Sequence, residues 1–232
     1  MSLKKIQKEL RRLKNPEKAK ILRGFFKTGK GQYGEGDIFL GVIVPLQRQV
    51  AKKFKGLPLA DIKVLLKSSI HEHRLTALFI LISQYEKGDG KTKSKIARFY
   101  LANRKRVNNW DLVDLSAPKI LGAHLFNKDR KILHSLASSK KLWDRRIAIL
   151  STFYFIRQKD FKDALKISEI LLKDKEDLIR KAVGWMLREV GKQSEKTLKE
   201  FLKKHASLIP RVTLRYAIEK FPEPKRKEYV NK

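Results

Sequence analysis

Apolar positions recur along this chain with the spacing of helices. Leu3, Ile6, Leu10 and Leu13 fall three and four residues apart, which places them on one face of a first helix. Asn15-Pro16 reads as an N-cap followed by a first-turn proline, and the helix it opens is expected to run to Thr28-Gly29. The glycine-rich stretch from Gly29 to Gly36 is a loop. Pro45 and Pro58 each open a further short helix. Beyond them, helices alternate with turns at Gly88-Asp89-Gly90, Asn127-Lys128-Asp129, Lys159-Asp160 and Pro210. No segment sustains a period of two, so no sheet is expected.

The helices repeat. Arg74-Leu-Thr-Ala77, Arg145-Arg-Ile-Ala148, Arg180-Lys-Ala182 and Arg215-Tyr-Ala217 each place a small residue shortly after a basic one, on an apolar helix. The gaps between the alanines are 71, 34 and 35 residues, and the first is about twice the others. A repeat lacking the basic and small residues is therefore expected near position 112, in Asn109-Trp110-Asp111-Leu112-Val113-Asp114. A period of about 35 residues made of two helices predicts an all-α fold, a solenoid of about six HEAT-like repeats. The small residue allows close helix packing. The recurring basic residue is expected to line a positively charged concave groove. Residues 1–222 are expected to form one domain, and 223–232 a basic tail with little fixed structure.

Charge narrows the function. Lys and Arg number 55 against 24 Asp and Glu, a formal net charge of +31. Such an excess calls for a polyanion, nucleic acid before an anionic membrane, and each neutralised phosphate releases counterions. The absence of cysteine excludes disulfides, Cys-ligated zinc and a thiol nucleophile, and fits a reducing, cytoplasmic (nucleoid-associated) location. The first residues carry no apolar signal region, and the longest apolar run, Ala77 to Ile82, is too short to span a bilayer. With no spare apolar stripe, a monomer is expected.

Two motif-like stretches carry no chemistry on their own. Gly29-Lys-Gly31-Gln-Tyr-Gly34 matches G-x-G-x-x-G, but no strand precedes it. His71 and His73 stand two apart on a helix and point to different sides, so they cannot share a metal; Glu72 suits a helix N-terminus. The exceptional repeat is more informative. Trp110 and Asp114 are four residues apart, on one helix face. An acid on a surface meant for phosphates is wrong for binding alone, and is what stabilising a developing cation requires. The same spacing suits a core tryptophan beside an aspartate paired with a repeat arginine. Trp185 lies 75 residues after Trp110, near two repeats, with Arg146 between them. Each has an ordinary alternative, a buried aromatic or a ladder ion pair.

Several ordered segments resemble the AlkD-type DNA alkylation repair glycosylases, the HEAT-like repeat DNA glycosylases. They are Asn109-Trp110-Asp111-Leu112-Val113-Asp114, Arg145-Arg146-Ile147-Ala148-Ile149-Leu150 and Lys181-Ala182-Val183-Gly184-Trp185-Met186-Leu187-Arg188-Glu189. Phe39 to Pro45 and His71-Glu72-His73-Arg74 are similar to further landmarks of that family. The resemblance implies a HEAT-like solenoid that hydrolyses the N-glycosidic bond of cationic N3- and N7-alkylated purines in double-stranded DNA. It implies trapping of the damaged nucleotide without drawing it into a pocket. Carried over, it makes Asp114 the catalytic carboxylate, Trp110 and Trp185 packing surfaces for the deoxyribose backbone, and Arg146 a phosphate or backbone contact. Arg145, Arg188 and Arg48 join Arg146 as candidate DNA-binding cations. Ile43 stands where some members carry a polar residue.

The chemistry agrees with such a site. An alkylated purine already bears positive charge and leaves readily, so the difficult part is the cationic sugar. A carboxylate stabilises that cation and orients water, and indole faces add attraction. No metal, organic cofactor or Schiff-base lysine is required. The alternative is a non-catalytic HEAT-like protein that binds DNA or branched DNA, to which Asp114 would be of no use.

Overall fold

A computed structural model describes residues 2–230. Among them the chain is all-α, an α–α helical repeat fold without strands. The single β-bridge among the described residues joins Ile38 to Ile70. By packing, residues 1–112 and 113–232 make two compact units.

The first unit contains α1 (Leu3–Arg12), α2 (Pro16–Phe25), α3 (Val44–Lys53), α4 (Leu59–Leu66), α5 (His71–Lys87) and α6 (Gly90–Asn103). A 3-10 turn at Arg104–Arg106 and the start of α7 (Trp110–Ala117) complete it. Asn15 caps α2 as expected, its side chain accepting the Lys18 N–H at 3.0 Å. That helix ends at Phe25, short of the expected Thr28, because Lys27 adopts a left-handed φ of 50° and turns the chain into the glycine loop. Helix α5 is the central element. Its residues from His71 to Ile82 are all buried, and α3, α4 and α6 pack around it.

The second unit continues from α7 through a π-helical turn at Pro118–Gly122 into α8 (Ala123–Leu125). Pro118 has no N–H to donate to the Asp114 carbonyl four residues earlier, and the helix widens there. Next come α9 (Lys131–Ala137), α10 (Leu142–Arg157), α11 (Lys162–Leu171), α12 (Asp177–Gln193), α13 (Glu195–Lys204), α14 (Arg211–Ala217) and α15 (Glu223–Val230). Helix α12 lies between α10 and α14. It approaches α14 tightly at Gly184, where a Cβ would come within 2.5 Å of the Tyr216 Cβ and 2.6 Å of the Thr213 carbonyl.

The alanine periodicity is visible in the packing. Ala77, Ala148, Ala182 and Ala217 are all buried, and α7 occupies the position of the skipped repeat. The recurring basic residues do something other than expected. Arg74 donates to the Asp37 carboxylate at 2.6 Å and to the Ser68 carbonyl at 2.9 Å. Arg145 donates to Asp174 at 2.6 Å and to the Ser139 carbonyl at 3.0 Å, and Arg180 to the Asp174 carbonyl at 2.7 Å. These guanidiniums tie the turn before each helix to the helix itself, because a buried or half-buried charge needs partners more than it needs solvent. Only Arg215 of the four is exposed.

Two further expectations change. Within the expected tail, residues 223–230 are not structureless: α15 forms there, with Tyr229 5.8 Å from the Phe221 ring and Lys225 4.7 Å over it. Lys225 also pairs with Glu195. Asn231 and Lys232 lie outside the described residues. An exposed apolar pair, Ile21 and Phe25, stands one turn apart on α2, where no spare apolar surface was expected.

Candidate functional site

Of the two candidate indoles, Trp110 belongs to the first unit and Trp185 to the second. In the first, Trp110 opens α7 and is half-buried. It stacks on Phe26, centroids 5.2 Å apart and planes at 15°, and meets the edge of Phe25 at 5.7 Å. Phe26 stacks in turn on Phe39 at 5.0 Å, and Phe39 on the His71 imidazole at 4.6 Å. Ala19 and Leu22 close this apolar cluster.

The glycine loop makes the stack possible. Gly34 sits against the backbone of Phe26, where a Cβ would come within 2.3 Å of its carbonyl oxygen. Gly41, at φ 84°, passes so close to α2 that a Cβ would lie 2.0 Å from the Asn15 carbonyl. The Gly29–Gly34 run is thus a packing loop. Glu72 fastens its far end: the buried carboxylate accepts N–H groups from Leu40 at 3.0 Å, Gly41 at 2.8 Å and Val42 at 3.2 Å. Sequence reasoning placed Glu72 at a helix N-terminus. It is in that first turn, but its charge serves the loop carrying Phe39.

Sequence reasoning missed a second charged group. His71 lies between two carboxylates, with Nδ1 2.9 Å from Asp37 and Nε2 2.8 Å from Asp111. Burial pushes the imidazole down, but the bonds to Asp111 and Asp37 outweigh it and hold His71 above its ordinary value. Burial opposes ionisation of Asp37, yet His71 and Arg74 together hold its carboxyl low. His73 behaves oppositely. Burial, with the charges of Arg11 and Arg74, lowers it to about 4, and its Nδ1 meets the Ser68 hydroxyl at 3.0 Å. As the helical spacing implied, the two histidines do not converge on one site.

In the second unit, Asp114 is half-buried and held at both oxygens by Arg146. Nε lies 2.8 Å from Oδ1, and the second guanidinium nitrogen 2.7 Å from Oδ2. This fork is a planar, charge-assisted match. The remaining nitrogen of Arg146 donates to the Leu178 carbonyl at 2.5 Å, and the residue is only 6% exposed. Arg146 therefore faces protein groups where a phosphate contact was expected. Arg145 is likewise engaged, with Asp174.

Trp185 lies on α12, half-buried, 5.8 Å from the Phe153 ring. Its Nε1–H donates to Glu189 at 3.2 Å, and Lys192 holds the same carboxylate at 2.7 Å. Arg188 pairs with Glu219. In the first unit, Arg48 is exposed and lies 4.1 Å over the Phe79 ring, the most open of the four candidate cations. Ile43 is the N-cap residue of α3 and is 40% exposed. Among the described residues no group of three or more His, Asp or Glu side chains is placed to hold a metal ion. None of the described helices is long and apolar enough to cross a membrane.

Comparison with known proteins follows the same line. No curated protein matches the sequence. Among solved structures, a predicted DNA alkylation repair enzyme from Enterococcus faecalis shares the fold at a TM-score of 0.69. It is 18% identical, and the match covers 90% of this chain and 97% of that one. The family model described as DNA alkylation repair enzyme matches residues 6–221, nearly the whole sequence, and this chain belongs to that family.

Proposed function

We propose that the protein is a monofunctional glycosylase that releases cationic N3- or N7-alkylated purines from double-stranded DNA. The observation that carries the reading is the Asp114–Arg146 pair. A carboxylate that accepts at both oxygens from one rigid guanidinium is fixed in orientation. Asp114 stabilises the positive charge that develops at the anomeric carbon and orients the water that attacks it. Arg146 is its positioning residue. Trp110 and Trp185 each offer an indole face to the deoxyribose backbone. The purine leaves with the pair of electrons from the broken bond. That pair neutralises its existing charge, so no general acid is needed.

The surplus of cations brings the duplex in, with Arg48 and the exposed lysines as its first contacts. Arg74, Arg145 and Arg146 contribute little to that attraction, because each is matched by a carboxylate.

The test is release of 7-methylguanine from a duplex, read as alkali-labile strand breaks, with Asp114→Asn alongside and DNA binding measured on both. Wild type is expected to produce breaks. The variant is expected to lose a factor of about 10² to 10³ in rate while binding DNA comparably, the range for removal of one preorganised electrostatic group. Equal rates would remove Asp114 from the chemistry. Tight binding with no breaks from either protein would leave a DNA-binding repeat protein in its place.

A further inference from the structure

Three kinds of link join Trp110 to the buried charges beneath it. Its chain neighbour on one side is Asp111, which holds His71 at 2.8 Å. On the other side is Asn109, whose side chain accepts the Trp110 N–H at 2.8 Å and reaches Asp37 at 3.4 Å. The third link is the ring column His71–Phe39–Phe26–Trp110.

The geometry fixes the protonation of the ring. A neutral imidazole has one N–H and one lone pair. Here both nitrogens face carboxylate oxygens within 2.9 Å, and a lone pair directed at a carboxylate would be repelled. Both nitrogens therefore carry hydrogen. The groups that face the ring are Asp37 from the loop, Asp111 from α7, and Arg74 from α5, whose guanidinium lies 3.4 Å from Nδ1. With His71 charged, two acids meet two cations and the buried cluster is neutral. With His71 neutral, it holds one surplus negative charge at a site 2% exposed. Such a surplus is costly in a low-dielectric interior.

We infer that His71, as an imidazolium clamped between Asp37 and Asp111, is a positioning residue for the Trp110 indole and gives lesion processing its alkaline limit. The role in lesion processing rests on the glycosylase reading; the positioning of Trp110 does not. The raised proton affinity of His71 agrees in direction. A histidine with a folded value above its unfolded one contributes stability that is fully present below pH 6.5 and is lost as pH rises through the folded value. Trp110 is therefore held below that folded value and released above it. His73, whose shift has the opposite sign, acts only on the acid side.

The experiment uses the full chain with Trp143→Phe and Trp185→Phe, which leaves Trp110 as the one indole of three. Its emission and its quenching by acrylamide are followed from pH 6.5 upward. The same is done with His71→Gln, and with His71→Gln combined with Asp111→Asn. The double substitution restores neutrality without a titrating ring. The expected result is a pH step to redder, more quenchable emission in the parent and no step in the charge-balanced variant. His71→Gln alone is expected to resemble the high-pH parent at neutral pH. If that single variant does not fold, the parent and the double variant still decide. A flat response in the parent, or the same step in the double variant, overturns the inference. In parallel, single-turnover base release by the unsubstituted chain is expected to fall about tenfold per pH unit beyond the same midpoint. The limb is expected to vanish when His71→Gln and Asp111→Asn are combined in it. An alkaline limb that survives the pair of substitutions overturns the part concerning lesion processing. No base release at any pH would refute the glycosylase reading, while the fluorescence still decides the role of His71.

Discussion

Replacing Glu72 with glutamine changes one oxygen to an amide nitrogen and removes a charge, at a site 1% exposed. The carboxylate accepts three backbone N–H groups, two at Oε1 from Gly41 and Val42 and one at Oε2 from Leu40. With the amide oxygen in the place of Oε1, two bonds survive but lose their charge assistance, at about 1 kcal/mol each. The new NH₂ group then faces the Leu40 N–H, donor against donor. That bond is lost and a buried donor is stranded, for about a further 2 kcal/mol. The opposite amide orientation strands two N–H groups and is worse. The total of about 4 kcal/mol is a large part of the 5–15 kcal/mol typical of a whole protein. Urea denaturation of Glu72→Gln beside the wild type measures it directly. Amide hydrogen exchange at Leu40, Gly41 and Val42 localises it, since those protons are expected to lose protection first. A stability within about 0.5 kcal/mol of wild type, the range of an ordinary surface substitution, would refute the reasoning. It would mean that the loop is held by its apolar contacts and that the three bonds add nothing net.

Other expectations concern packing and protons. Gly184→Ala gains about 1 kcal/mol of helix propensity but drives a methyl group into the α14 backbone, and overpacking of this kind costs about 1–3 kcal/mol. The melting temperature is therefore expected to fall, and a rise would show that α12 and α14 separate freely. His73 binds its proton less tightly folded than unfolded, so stability is expected to decline as pH drops from 6.5 towards about 4, by about 3 kcal/mol. His73→Gln is expected to flatten that acid limb in urea midpoints taken at a series of pH values. An unchanged limb would assign it to other groups.

The helical repeat was legible because it rests on local rules. Small residues at a period near 35 had to be where helices touch, and all four repeat alanines are buried. The skipped repeat fell where α7 stands. The arginines of the same motif misled, because periodicity shows which face a side chain occupies and not what waits opposite. Asp37 is 37 residues from Arg74, and Asp174 is 29 from Arg145. Nothing in the local pattern links them. The His71 cluster was hidden for the same reason, its acids lying 34 and 40 residues away. Judged by helical spacing, the two histidines could not share a metal, and no reason remained to look for two carboxylates around one ring. The C-terminal helix was concealed by its composition: a basic, proline-containing segment reads as a tail until Phe221 and Glu195 supply partners for Tyr229 and Lys225.

The division of labour between the two kinds of cation bears on how such a sequence can change. Arg74, Arg145 and Arg146 each answer to a particular carboxylate, so each can be altered only together with its partner. No described lysine is buried, and where lysines pair, as Lys192 does with Glu189 and Lys225 with Glu195, they do so outside the core. One can vanish and another arise elsewhere while the long-range field remains nearly the same. Over generations the lysine coat is therefore free to drift as a population, its total kept and its members exchanged. The paired arginines persist as fixed points. Chains of this kind can retain a common fold while sharing few residues, as the 18% identity beside a TM-score of 0.69 illustrates.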